Sequence, residues 1–393
     1  MLKPLLAGLA LAALVPIATH ASGEADQGVD FKYMYFWDRN QVWNHTPALS
    51  YFKKLASAWK LSYDQEVDYV SGASRRLGLR NIGRLADNDQ KLDGITGASR
   101  REIRHSEQGA VAYAQGGNAA SGAFYYSNER DYTSYSPSLS GSLDFNERNT
   151  TVGAGGAVFF DDMHPQGGFK GMGGSRTITS LNASLAQVLT PLSLGSVTVN
   201  MLYSEGYLGH PYNPVITADN NAIEENLPDT KTAWALSGKF IQGFHLGERL
   251  GSLRLDARYY RDDWELQSGT ADLQWYQHVG EATWVRLRAR GYAQSKAAFA
   301  KDSYIGDELN RTPDIRYFAF TSLTVGLKVG SAFPEKWGES GWLPDRWDLG
   351  YDHGVRDTKG ENDGIHPLYH TQLYGRDEYY IQGTLMAGLS FDL

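Results

Sequence analysis

Two groups of residues have the types and spacing to do chemistry. The first is a repeat in which Asp68, Ser71, Gly72 and Arg75 recur as Asp93, Thr96, Gly97 and Arg100. The shared pattern is Asp, any residue, Val or Ile, Ser or Thr, Gly, Ala, Ser, Arg, Arg. A carboxylate and a hydroxyl beside a glycine bend, flanked by guanidinium groups, can hold an ion or a polar head group. Turn chemistry alone also explains the pattern, with each hydroxyl capping its bend and the arginines serving as rim charges. Between the copies, Asp87, Asn88, Asp89, Gln90, Asp93 and Gly94 carry oxygens suited to calcium. Their spacing departs from the EF-hand loop and no glutamate closes it, so no metal is expected.

The second group is charge at alternate positions. Asp64, Glu66 and Asp68 form one row; Arg254, Asp256 and Arg258 form another, followed by Asp272 and then by Arg286, Arg288 and Arg290. Alternate residues of a strand share a face, so each row is a stripe of fixed charge. Acidic and basic stripes facing one another across a narrow pore would orient polar solutes and disfavour apolar ones. The other reading is local pairing, Arg254 and Arg258 with Asp256 and Asp272, filling a plugged lumen. His164, His210, His366 and His370 fall in loops, where solvated imidazoles are the default. There is no Gly-x-Ser-x-Gly elbow, no His-Glu-x-x-His and no cysteine, so neither catalytic residues nor a cofactor is expected.

The elements that carry these rows are strands. The stretch from Glu378 to Leu393 places Tyr379, Ile381, Leu385, Ala387, Leu389, Phe391 and Leu393 on one face, and Glu378, Gln382, Thr384, Ser390 and Asp392 on the other. That is a ribbon with one apolar and one wet face, long enough to cross a bilayer when tilted. Similar alternation recurs along the chain: Trp59, Leu61, Tyr63, Val67 and Tyr69 interleave with Lys60, Ser62, Asp64, Glu66 and Asp68. The pattern lapses over Ser71 to Arg101, Asp162 to Gly174 and Glu205 to Thr230, which read as loops, and a late strand is expected over Ile315 to Val329. Forty-three Gly, 24 Tyr and 10 Trp suit half-apolar strands with aromatic girdles. A net charge of −8 argues against nucleic acid as a partner.

The fold class expected is therefore all-β: a single-chain transmembrane antiparallel β-barrel of about sixteen strands, with fourteen or twelve as alternatives. Met1 to Ala21 reads as a secretory signal peptide, with Lys3, an apolar run and a small-residue site at Thr19 to Ala21. Residues 22–393 would then form one outer-membrane barrel domain. Placing both termini in the periplasm puts most long connections on the outer side and mostly short turns on the inner side.

Three segments, Val67 to Ser74, Gly206 to Tyr212 and Arg258 to Trp264, resemble a family of bacterial outer-membrane proteins known as a domain of unknown function. The resemblance implies a barrel and a location in the cell outer membrane; it brings no activity and no catalytic residues. The function expected is a porin-like channel for small polar solutes. A structural or partner-binding barrel with a plugged lumen is the alternative, and an outer-membrane hydrolase the third reading. Expected partners are outer-membrane lipid, the barrel-assembly machinery through the C-terminal strand, and a small polar solute.

Overall fold

The computed structural model describes residues 25–38, 42–72, 100–165, 173–210, 214–219, 222–301, 304–333, 343–357 and 379–392. The expected signal peptide lies outside them, as do His366 and His370. Sixteen strands form a closed antiparallel barrel in which the first pairs with the last. They are β1 (Gln27–Asp38), β2 (Trp43–Ala56), β3 (Trp59–Gly72), β4 (Arg100–Gln115), β5 (Asn118–Glu129), β6 (Tyr132–Phe145), β7 (Thr150–Met163), β8 (Gly174–Thr190), β9 (Ser193–Gly206), β12 (Thr230–Leu246), β13 (Arg249–Asp262), β14 (Gln267–His278), β15 (Thr283–Gln294), β16 (Phe320–Ala332), β17 (Arg346–Asp357) and β18 (Tyr379–Asp392). β10 (Pro214–Ile216) and β11 (Ala222–Glu224) make a separate two-stranded sheet. An even strand count brings both ends of the barrel chain to one rim, here the terminal end. Closure pairs every strand on both sides and leaves no open edge to satisfy.

Alternation sets the two faces. The outward face carries a belt of apolar side chains, including the continuous cross-strand row Trp275, Leu287, Leu327, Tyr351, Leu385 and Tyr35. The inward face is polar or small, as on β6, where Ser134, Ser136, Ser138, Ser140 and Ser142 share it. At the terminal end the chain turns tightly, through Ser57 and Ala58, Gly116 and Gly117, Pro191 and Leu192, and Gly247 and Glu248. Gly116, Gly117 and Gly247 have positive φ, which a tight hairpin requires and glycine supplies without steric cost. Residues 333–345 make the one long connection there among the strand links.

At the other, distal rim the long connections build a cap. Residues 207–229 and 295–319 are joined by a parallel bridge between Thr217 and Tyr304 and an antiparallel bridge between Asn226 and Arg311. Leu227, Trp264, Leu266, Ala297, Ala300 and Phe318 form its buried core, with Leu208, Tyr260, Phe299 and Tyr317 packed against it. The strand expected from Ile315 starts only at Phe320; Ile315–Tyr317 is a 3-10 turn. Tyr317 and Phe318 follow the alternation of a strand but are drawn into the cap, where aromatic burial outweighs the ladder bonds forgone.

Candidate functional site

The inward side of β13 to β17 holds an ion-pair network. Asp272 of β14 accepts from the Arg288 Nε at 2.9 Å, and Asp352 of β17 accepts from Arg288 at 2.7 Å and from Arg286 at 3.0 Å. Arg288 thus bridges two carboxylates, and Asp352 bridges two guanidiniums. Gly326 makes this reachable: a Cβ there would stand 1.9 Å from the Asp352 Oδ1, so the carboxylate lies across the bare backbone of β16. Lys328 meets Asp348 at 2.7 Å. Asp256 pairs with Lys239 at 3.5 Å, while the Arg254 guanidinium lies 4.2 Å from the Tyr276 ring centre and that of Arg258 lies 5.5 Å from Tyr260. The pairing expected of Arg254 and Arg258 with Asp256 and Asp272 is not formed, because Lys239 and Arg288 on adjacent strands reach those carboxylates first.

The acid row on β3 is neutralised by its neighbour. Arg104 of β4 donates to Glu66 at 3.1 Å and stands 2.5 Å from Asp68. Asp68, 1% exposed, also accepts from Asn44 and Thr46 at 3.2 and 2.5 Å. Asp64 lies on the same face, near Lys60. β3 does sit eight barrel strands from β13, so the stripes are half a circumference apart, yet the charge of Glu66 and Asp68 is spent within the wall. Directly across from β15 stands β5, whose inward face offers Ser121, Ala123, Tyr125, Ser127 and Glu129.

Of the repeated motif, Asp68 is placed as above, and the backbones of Ser71, Gly72 and Arg100 are paired at the distal ends of β3 and β4, Gly72 opposite Arg100. Arg75, Asp93, Thr96 and Gly97, and the acidic stretch from Asp87, lie outside the described residues. His164 pairs with Asp162 at 3.8 Å, and the backbone N–H of His210 donates to Glu225 at 2.6 Å. Glu102, Glu129 and Asp131 bring carboxylate oxygens within 4.8 Å of one another. Each is engaged by other groups, and Arg104 lies in electrostatic reach of Glu129, so the trio has a cation beside it.

The cap is tied by buried polar residues that the alternation test passes over. Glu225 accepts from the Thr312 hydroxyl as well as from His210, linking the two long connections. Thr312 in turn accepts from the Asp314 N–H at 3.0 Å, and Asp314 holds the Arg316 Nε at 2.8 Å. Burial pushes the Glu225 carboxyl up to about 8, helped by the negative charge of Asp314 and opposed by its hydrogen bonds from Thr312 and His210. Burial acts on Asp314 in the same sense, but Arg316 outweighs it and holds that carboxyl at about 2. At the barrel edge of the cap, the Lys231 ammonium lies 2.9 Å from Asp262 and 4.5 Å from the Trp264 ring centre. Burial pushes the Tyr317 hydroxyl up, and Arg176 of β8 is among the charges acting on it.

All three segments that carry the family resemblance sit at this distal end: Val67 to Gly72 at the tip of β3, Gly206 to His210 entering the cap, and Arg258 to Trp264 at the tip of β13. Gly206 has a φ of +104°, and a Cβ there would stand 2.4 Å from the Ser175 carbonyl oxygen; only glycine fits. The sequence matches the family described as "Protein of unknown function (DUF3570)" over residues 5–174 and 169–341. The chain belongs to that family. Among curated proteins none matches the sequence. In fold it is similar to CdiB from Acinetobacter baumannii, with a TM-score of 0.52 at 7% identity over 93% of this chain and 60% of that one. A bacterial polysaccharide outer membrane secretin aligns with a TM-score of 0.49 at 8% identity, over 93% of this chain and 98% of the other. The outer membrane protein opdK from Pseudomonas aeruginosa gives 0.40 at 9% identity, over 93% and 98%. The chain spans under two thirds of CdiB, and at these identities the likeness is one of fold: a barrel of the outer-membrane type.

Proposed function

We propose that residues 22–393 form an outer-membrane barrel that passes small polar solutes, exported by the signal peptide and inserted by the barrel-assembly machinery acting on the C-terminal strand. The observation that carries this reading is the contrast between the faces: an apolar belt outside, and inside a wall of fixed charge on β13 to β17 whose middle strand, β15, faces Ser121, Ala123, Tyr125, Ser127 and Glu129 of β5. A lumen of that kind stabilises hydrated solutes and repels apolar ones. The test is planar-bilayer conductance of the purified barrel. Stable current steps that change when Arg286, Arg288 and Arg290 are replaced by Ala support the channel; a bilayer that stays silent at every voltage removes it.

The cap favours a second reading, a barrel closed at its distal mouth that engages a partner there. Its buried core, and the burial of inward residues on the distal halves of β5 to β8, such as Ser127, Ser136 and Ser180, support a closed resting state. The two readings meet if the cap opens.

A further inference from the structure

Among the inward cations of β13 to β17, most are spent. Arg286 and Arg288 are held by Asp352 and Asp272, and Lys328 by Asp348. Arg258 and Arg290 are different. Both are exposed on the inward face, and neither forms an ion pair or hydrogen bond with any described residue. Arg258 stands opposite Thr270, Thr270 opposite Tyr292, and Arg290 one inward position below Tyr292. The Arg290 guanidinium is repelled by Arg288 and, more weakly, by Arg258, with Asp272 attracting it, and Tyr292 lies in electrostatic reach of Arg258, Arg290 and Arg356. Asp272, the cross-strand neighbour of Arg290, is already taken by Arg288.

Two cations held in mutual repulsion cost free energy that a bridging anion would return. The guanidinium fork matches the two oxygens of a carboxylate or phosphate, and hydrogen bonds to a charged acceptor are about twice as strong as neutral ones. The hydroxyl of Thr270 shares that face and can donate to the same anion, while that of Tyr292 is given to Gln294 at 2.6 Å.

We infer that Arg258 and Arg290 form a lumenal binding site for a small oxyanion, a carboxylate or a phosphate. This deepens the solute-passage reading and rests on it only for transport. The site sorts solutes by charge: Arg286 and Arg288 are structural, and Arg258 and Arg290 are available.

Calorimetric titration of the detergent-solubilised barrel tests the site directly, with inorganic phosphate in one series and succinate in another. The wild type is expected to bind at least one of them in the millimolar range, and which series responds identifies the oxyanion. Arg258→Gln with Arg290→Gln should weaken binding at least tenfold, and Arg290→Lys, which keeps the charge but loses the fork, should weaken it about fivefold. Lys239→Gln, outside the site, should leave it unchanged. No binding of either anion to the wild type, or full binding to the double variant with native β-sheet circular dichroism, overturns the site. Anion binding in a barrel that is silent in bilayers keeps the site and removes the channel. Conductance with neither anion binding nor anion selectivity keeps the channel and removes the site.

Discussion

Asp352 is the residue on which the charged wall turns, because its two oxygens serve two guanidiniums, of Arg286 and Arg288, in a partly dehydrated setting. Removing one member of a buried pair leaves the others uncompensated, which costs about 3–5 kcal/mol where burial is complete and less where water reaches. Asp352→Ala is therefore expected to lower the denaturation midpoint of the folded barrel more than Asp256→Ala does, since Asp256 faces only the more exposed Lys239. Gly326→Ala should mimic it: the new methyl displaces the Asp352 carboxylate, so the loss is that of the network and not of packing. Equal midpoints for Gly326→Ala and wild type, measured in the same detergent, would show that Asp352 does not lie over β16. The basic half of this network was legible in the alternation of Arg286, Arg288 and Arg290. Its acidic half was not, because Asp352 meets them only through the register of β15, β16 and β17. Arg104 was missed for the same reason, although its place two residues from Glu102 put it on the wet face.

The cap is an element whose stability should follow pH, because the carboxyl that ties it is buried. Glu225 faces Asp314 and Arg316 from the other connection, with Tyr207, Tyr304 and Tyr317 also feeling its charge. Its pKa is raised in the folded cap, so the folded form binds more protons than the open form between the ordinary carboxyl value and about 8. Stability from this group is thus complete at low pH, declines as pH rises through that window, and is lost above it. Asp314 has the opposite sign: its pKa is lowered to about 2, and its contribution is lost only in strong acid. Amide hydrogen exchange of residues 222–229, corrected for the intrinsic rate, should show opening that increases from pH 5 to pH 8 in the wild type. Glu225→Gln should flatten the profile; an unchanged slope in that variant would assign the pH response to another group. The broken alternation over Glu205 to Thr230 marks the first connection as a loop, while the second is masked at its end by a strand-like pattern from Ile315. Neither pattern gives a sign that they share a core, because residues such as Leu227, Trp264 and Phe318 are scattered singly and meet only once the barrel brings their strands around the mouth.

At the scale of the whole molecule, the period-two pattern was enough to set the fold class, the strand count and the rim at which the chain ends meet. Each strand must hide one face from water and show the other to it, so the code is local. What it leaves open is whatever depends on shear: which inward residues meet, and how far the connections reach. Its central physical claim is that the outward belt is solvated by hydrocarbon, and that claim is separable from any account of the lumen. Leu287 lies at the middle of β15, outward, in the apolar row from Trp275 to Tyr35. A cation at the bilayer midplane costs about 2–4 kcal/mol in a barrel of this type, so Leu287→Arg should lower the unfolding free energy in lipid vesicles by that order. Gln108→Lys places a cation on the inward face opposite Asp64, where water and a carboxylate receive it, and should change stability by less than about 1 kcal/mol. The difference should shrink for both variants in a short-chain detergent, whose thin apolar layer lets the arginine reach water. If the two substitutions prove equally mild in vesicles, lipid does not surround the face that carries Leu287, and the assignment of inside and outside on which the solute path depends fails with it.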